Sequence, residues 1–94
     1  MDTIDLYNKA ISTWGPEKQI NMAIEEMSEL TKELCKSMRG RDNKEKIAEE
    51  IADVEITLAQ LRLIYRCHRI VEDYKTAKFK RLEFKLENEA GGES

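Results

Sequence analysis

Between Pro16 and Gly91 the chain meets one glycine, Gly40, and no further proline. A sequence so poor in breakers can turn at few places, and the segments between them must run as long helices. The 37% charged and 6% aromatic fractions agree, since solvated helices favour Glu and Lys where a turn-rich sheet protein favours Gly, Pro and aromatics. The expected fold class is all-α, an antiparallel helix bundle. Residues 3–13 form a first helix with Ile4, Leu6, Tyr7 and Ile11 on its apolar side, ended by Trp14-Gly15-Pro16. Pro16 then opens a second helix, where its missing N–H costs nothing. That helix runs to about residue 38, with Ile20, Ile24, Met27, Thr31, Leu34 and Met38 on one stripe expected to face the core. Gly40 stops it, and Asp42 with Glu45 three residues on reads as a capping box for a third helix over 43–66. The polar run Arg66-Cys67-His68-Arg69 marks a turn before a fourth helix over 71–88, although nothing there forbids one continuous helix. Residues 1–89 make one domain, and 90–94 are expected to be a disordered tail.

Several classes of function are disfavoured at once. With 94 residues there is room for a single core. A net charge of -3, spread along the length, offers a nucleic-acid polymer no basic face. The start lacks a signal-peptide pattern and no stretch approaches the roughly 20 apolar residues of a membrane span, so a cytoplasmic location and no membrane partner are expected. Cys35 and Cys67 read as reduced packing thiols. His68 is the single histidine and follows no Glu at i+3, which disfavours a di-iron bundle built on Glu-x-x-His pairs.

The chemistry sits in the second and third helices. At roughly 100° per residue and with Ile47 as zero, Ile51, Val54, Leu58, Leu61 and Tyr65 fall within about 40° of one another's mean, while Ala52, Ile56, Ala59 and Leu63 lie near roughly 120° to 180°. A helix apolar on two sides is buried on two sides. Glu50 and Asp53 fall in the polar strip between, with Thr57 and Gln60. On the second helix Glu26, Glu29 and Glu33 lie beside the apolar stripe, and Glu26 and Glu29 are one turn apart. The short link forces the helices antiparallel, so two i, i+3 carboxylate pairs can face each other. Converging carboxylates near a core repel and lose hydration unless a cation joins them. Oxygen ligands alone favour Mg²⁺ or Mn²⁺ over Zn²⁺. The plainer alternative is that Glu25-Glu26 and Glu49-Glu50 are ordinary solvated surface charge. On the fourth helix, Lys78, Arg81 and Lys85 fall on or beside the apolar stripe of Val71, Tyr74, Leu82 and Leu86, either snorkelling to solvent or reaching phosphate oxygens.

The run Glu25-Glu26-Met27-Ser28-Glu29, then Glu50-Ile51-Ala52-Asp53 after the intervening residues 30–49, resembles the EExxE and ExxD signature of the MazG-like all-α nucleoside-triphosphate pyrophosphohydrolases. Trp14-Gly15, Gln19 and Lys78-Phe79-Lys80-Arg81 resemble the flanking elements of that family, so the likeness spans residues 14–86. The resemblance implies Mg²⁺-dependent hydrolysis between the α- and β-phosphates of a nucleoside triphosphate, giving monophosphate and pyrophosphate. It implies Glu26, Glu29, Glu50 and Asp53 as metal ligands, with Glu25 orienting water. Lys78 and Arg81 would grip phosphate, and Trp14 and Gln19 would join the substrate site, Trp14 or Tyr7 stacking on a base. It also implies a homodimer or homotetramer. Water attacking a metal-neutralised phosphate needs no Ser or Cys nucleophile, which suits this chain. A non-catalytic helical interaction module is the alternative from another class, and it predicts no response to Mg²⁺.

Overall fold

The computed structural model describes residues 1–92, with side-chain surroundings as far as Glu89. It is all-helical: α1 spans Thr3–Trp14, α2 Pro16–Met38, α3 Lys44–Ile64 and α4 His68–Gly92, and there is no strand among the described residues. The Asp2 carboxylate caps α1, accepting from the Asp5 N–H at 2.8 Å. Gly15 joins α1 to α2 at φ +90°, a conformation that side-chain-bearing residues avoid, and Pro16 occupies the first turn of α2. Gly40, at φ +95°, closes α2 while the Arg41 N–H reaches back to the Lys36 carbonyl.

Two junctions differ from expectation. The residue preceding α3 is Asn43, and no side chain caps that helix, so the Asp42–Glu45 capping box does not form. The Asn43 amide is committed elsewhere: its Nδ2 donates to the backbone carbonyl of Glu33 at 2.9 Å and to Glu33 Oε1 at 3.0 Å, fastening the start of α3 to the end of α2. Between α3 and α4 the chain does turn, without glycine, by placing Arg66 at φ +51°. Such a residue costs about 1 kcal/mol in the left-handed region, and the Arg62 guanidinium holds Glu72 at 2.7 Å across the same turn. The same guanidinium holds Glu72 below the ordinary carboxylate range. Helix persists through Gly92, so Ala90 to Gly92 continue α4, and the rest of the expected disordered tail, 93–94, lies outside the described residues.

The body of the molecule is the antiparallel α2–α3 pair, with α1 against both, while α4 touches α3 alone. The radius of gyration is 17.4 Å, against about 12 Å for a compact domain of this length. The seam between α2 and α3 reads Gln19, Ala23, Glu26, Leu30, Glu33 against Ile47, Glu50, Val54, Thr57, Leu61, Ile64, both at alternating steps of three and four. Ala23 and Val54 are its only fully buried apolar members among the described residues. The stripe expected to face the core is rotated about one residue off the seam: Ile24, Met27, Leu34 and Met38 are exposed, as are Ile51, Ile56 and Leu58 on α3. Small and polar side chains let the two helices meet at the border between α3's polar strip and its Ile47–Val54–Leu61 edge, which leaves Ile51, Leu58 and Ile56 exposed.

Candidate metal centre

At the middle of this seam the two helices bring three carboxylates together. Glu26 of α2 and Glu50 and Asp53 of α3 each offer an oxygen, all within 4.8 Å of one another. Glu50 and Asp53 are one turn apart on one helix, and Glu26 stands opposite them because the helices run antiparallel. Burial pushes the Glu26 carboxyl up from its ordinary range, and the charges of Asp53 and Glu50 push it the same way. Glu50 is 4% exposed. Its two oxygens have different surroundings: Oε1 lies 3.2 Å from the Lys46 ammonium, whereas Oε2 is buried with no protein partner. A buried, unpaired carboxylate oxygen is costly, and this one belongs to the group that meets Glu26 and Asp53. Three converging carboxylates with no nitrogen or sulfur donor fit a hard, oxygen-preferring divalent cation. The cluster could hold a metal ion.

Polar groups continue along the seam on both sides. Toward the α2–α3 turn, Glu33 is buried, bonded by the Asn43 amide and paired with Lys36 Nζ at 3.2 Å. The Asn43 bond, reinforced by Lys36, holds the Glu33 carboxyl below its ordinary range. Lys46 pairs with both Glu49 and Glu50 at 3.2 Å, and these contacts hold its ammonium charged above the usual lysine range. In the other direction lie the buried Gln19 and Gln60, with the Gln19 Nε2 unpartnered by protein. Trp14 lines an open cleft of about 500 Å³ between α1 and α3 with Leu6, Tyr7, Ile56 and Gln60, and Ile56 is one turn beyond Asp53. The cleft is thus apolar and aromatic on the α1 side and reaches the helix that bears the acids.

The expected site is therefore gathered in part. Glu26, Glu50 and Asp53 come together, but Glu29 does not join them: with Glu26, Leu30 and Glu33 on the seam, Glu29 is turned off it and exposed. Glu25 is exposed beside it. Lys78 and Arg81 are exposed on α4, which leaves the bundle at the Arg66 turn and makes no contact with α2, so the chain does not bring them to its own acids. Lys46, Glu33 and Asn43 were not singled out as site residues from the sequence. The signal for Lys46 is its position one turn before Glu50, on the same side of α3.

A scan against protein-family models, a search of curated proteins and a search of solved structures each give no match for this chain. Fold and site together define an all-α bundle with an inter-helix carboxylate cluster. No helix among the described residues is long and apolar enough to cross a membrane.

Proposed function

We propose that this chain is a divalent-cation-dependent nucleoside-triphosphate pyrophosphohydrolase of the MazG-like type, releasing pyrophosphate and the monophosphate. The observation that carries the reading is the convergence of Glu26, Glu50 and Asp53, with the Glu50 Oε2 buried and unpartnered. Those three side chains would hold Mg²⁺, with Mn²⁺ as a substitute. Bound there, the ion supplies charge neutralisation for the phosphates and activates water for attack. The cleft beside Trp14 and Tyr7 offers a base an aromatic, apolar wall. Its test is a panel of nucleoside triphosphates incubated with and without Mg²⁺. Pyrophosphate release that depends on the ion supports the reading, and no turnover of any triphosphate by folded protein refutes it.

The same reading includes a homodimer or homotetramer. A compact monomer of 11.0 kDa exposes about 5,600 Å², whereas this chain exposes 7729 Å². The excess, about 2,100 Å², matches one protomer's share of an obligate interface. Large apolar side chains are exposed on all four helices, from Ile4 and Leu6 through Ile24 and Met27 to Tyr74 and Phe84. In such an assembly Lys78 and Arg81 would serve the carboxylate cluster of a second copy. The exposed apolar faces also favour the second reading, a non-catalytic helical interaction module, whose stability would be indifferent to Mg²⁺.

A further inference from the structure

Lys46 occupies a position that the proposed chemistry has not used. Its ammonium is 3.2 Å from Glu50 Oε1 and 3.2 Å from Glu49 Oε1, and its side chain remains 47% exposed. Glu50 itself is almost wholly buried and belongs to the three-carboxylate cluster. Lys46 is the one cation within ion-pair distance of that cluster among the described residues. One oxygen of Glu50 therefore faces a lysine while the other is buried and unpaired, which sets the lysine and a divalent ion in competition for the charge of the same carboxylate. A lysine ammonium is a mobile point charge on a flexible stem. Released from Glu50, it would stay on the solvent side of the cluster, one turn before Glu50, free to reach an anion carried by the ion.

We propose that Lys46 is an exchangeable counter-ion of the cluster: it balances Glu50 until a divalent cation takes over that charge, and it then turns to the phosphate that the cation carries. The proposal rests on the metal-site reading and adds to it a residue that binds the polyphosphate from within the same chain. It makes opposite demands on two ligands. Removing the lysine's charge removes a competitor for Glu50, so the bare cation binds more tightly. Removing it also deletes a phosphate contact, so the cation-borne anion binds more weakly. A residue that merely supports the helix would move both affinities in one direction.

The experiment is calorimetric titration of the full chain with Mg²⁺ alone, and then with inorganic pyrophosphate at saturating Mg²⁺, for wild type, Lys46→Met and the charge-retaining Lys46→Arg. Pyrophosphate is used because it is a product of the proposed reaction and not its substrate. For Lys46→Met the Mg²⁺ affinity should rise about threefold to fivefold and the pyrophosphate affinity fall by a similar factor, the scale of one partly screened ionic contact. Lys46→Arg should lie close to wild type in both. Should Lys46→Met fail to fold, Lys46→Gln removes the charge with a polar side chain and carries the same expectations. Unchanged or weakened Mg²⁺ binding, or undiminished pyrophosphate binding, overturns the proposal and leaves the metal site standing. A wild-type chain that binds no divalent cation overturns both.

Discussion

Asp53→Asn removes one charge from the cluster while keeping its shape, and its effect on stability can be worked from the geometry. Unit charges 4.8 Å apart repel by about 3.5 kcal/mol at an effective dielectric of about 20. Asp53 has two such neighbours, Glu26 and Glu50. The Lys46 ammonium opposes one of them, and the part-exposure of Glu26 and Asp53 admits water and salt. A net relief of about 1 kcal/mol is a reasonable remainder after that screening. In chelator the variant should therefore melt higher than wild type, by about 4–8 °C for a chain of this size. Saturating Mg²⁺ reverses the order: a ligand at a hundred times its Kd stabilises wild type by about 2.7 kcal/mol, and the variant, short of a ligand, gains much less. The assay is thermal unfolding followed by far-ultraviolet circular dichroism, with chelator and with Mg²⁺, at fixed protein concentration. Glu29→Gln is the internal comparison and should keep the wild-type response, since Glu29 stands off the seam. If Asp53→Asn melts below wild type in chelator, or gains as much from Mg²⁺, the carboxylates do not share a cation.

Two further expectations concern the assembly and the seam. Asp53→Asn and Lys78→Ala should each be nearly inactive alone, and mixing them after co-refolding should recover about a quarter of wild-type turnover, because half the dimers carry one intact composite site; no recovery would show that Lys78 does not act across an interface. The Glu33 carboxyl is held down by the Asn43 amide, so its contribution to stability is present above the ordinary glutamate value of 4.5 and is lost as pH falls through the lowered folded value. The melting-temperature gap between wild type and Asn43→Ala should accordingly narrow on acidification through that window, without closing, since Asn43 also bonds a backbone carbonyl; a gap independent of pH would refute the coupling.

Element boundaries were legible where the backbone chemistry is local. Gly15-Pro16 and Gly40 place both ends of α2 to the residue. The α3–α4 turn was only hinted at, because Arg66 adopts the left-handed conformation without a glycine to announce it. The cluster was legible for Glu26, Glu50 and Asp53 because spacing puts carboxylates on facing turns. Glu29 stands outside the cluster for a reason of rotation: the seam on α2 lies one residue round from its apolar stripe. Hydropathy reports that a face is to be buried and says nothing of what buries it. A surface destined for a second copy and one destined for the chain's own core look alike in sequence.

That rotation also bears on why an ion site would sit where it does. The α2–α3 seam has two fully buried apolar side chains to hold it, against five buried polar or charged ones along α2 and α3. One end is fastened by Asn43 bridging to Glu33. The middle, where Glu26, Glu50 and Asp53 converge, has one lysine to set against three carboxylates. Hydrophobic burial offsets little of the cost there, because Ala23 and Val54 are the buried apolar side chains on the seam while Ile24, Met27, Ile51 and Leu58 are exposed. On the proposed reading, two things from outside the chain would support the seam: a cation for its acidic middle and a surface to cover its exposed apolar flanks. Each favours the other, since covering the flanks excludes water and strengthens every charge interaction within. Assembly should therefore raise the affinity for the ion, and the ion should raise the affinity of assembly by the same factor.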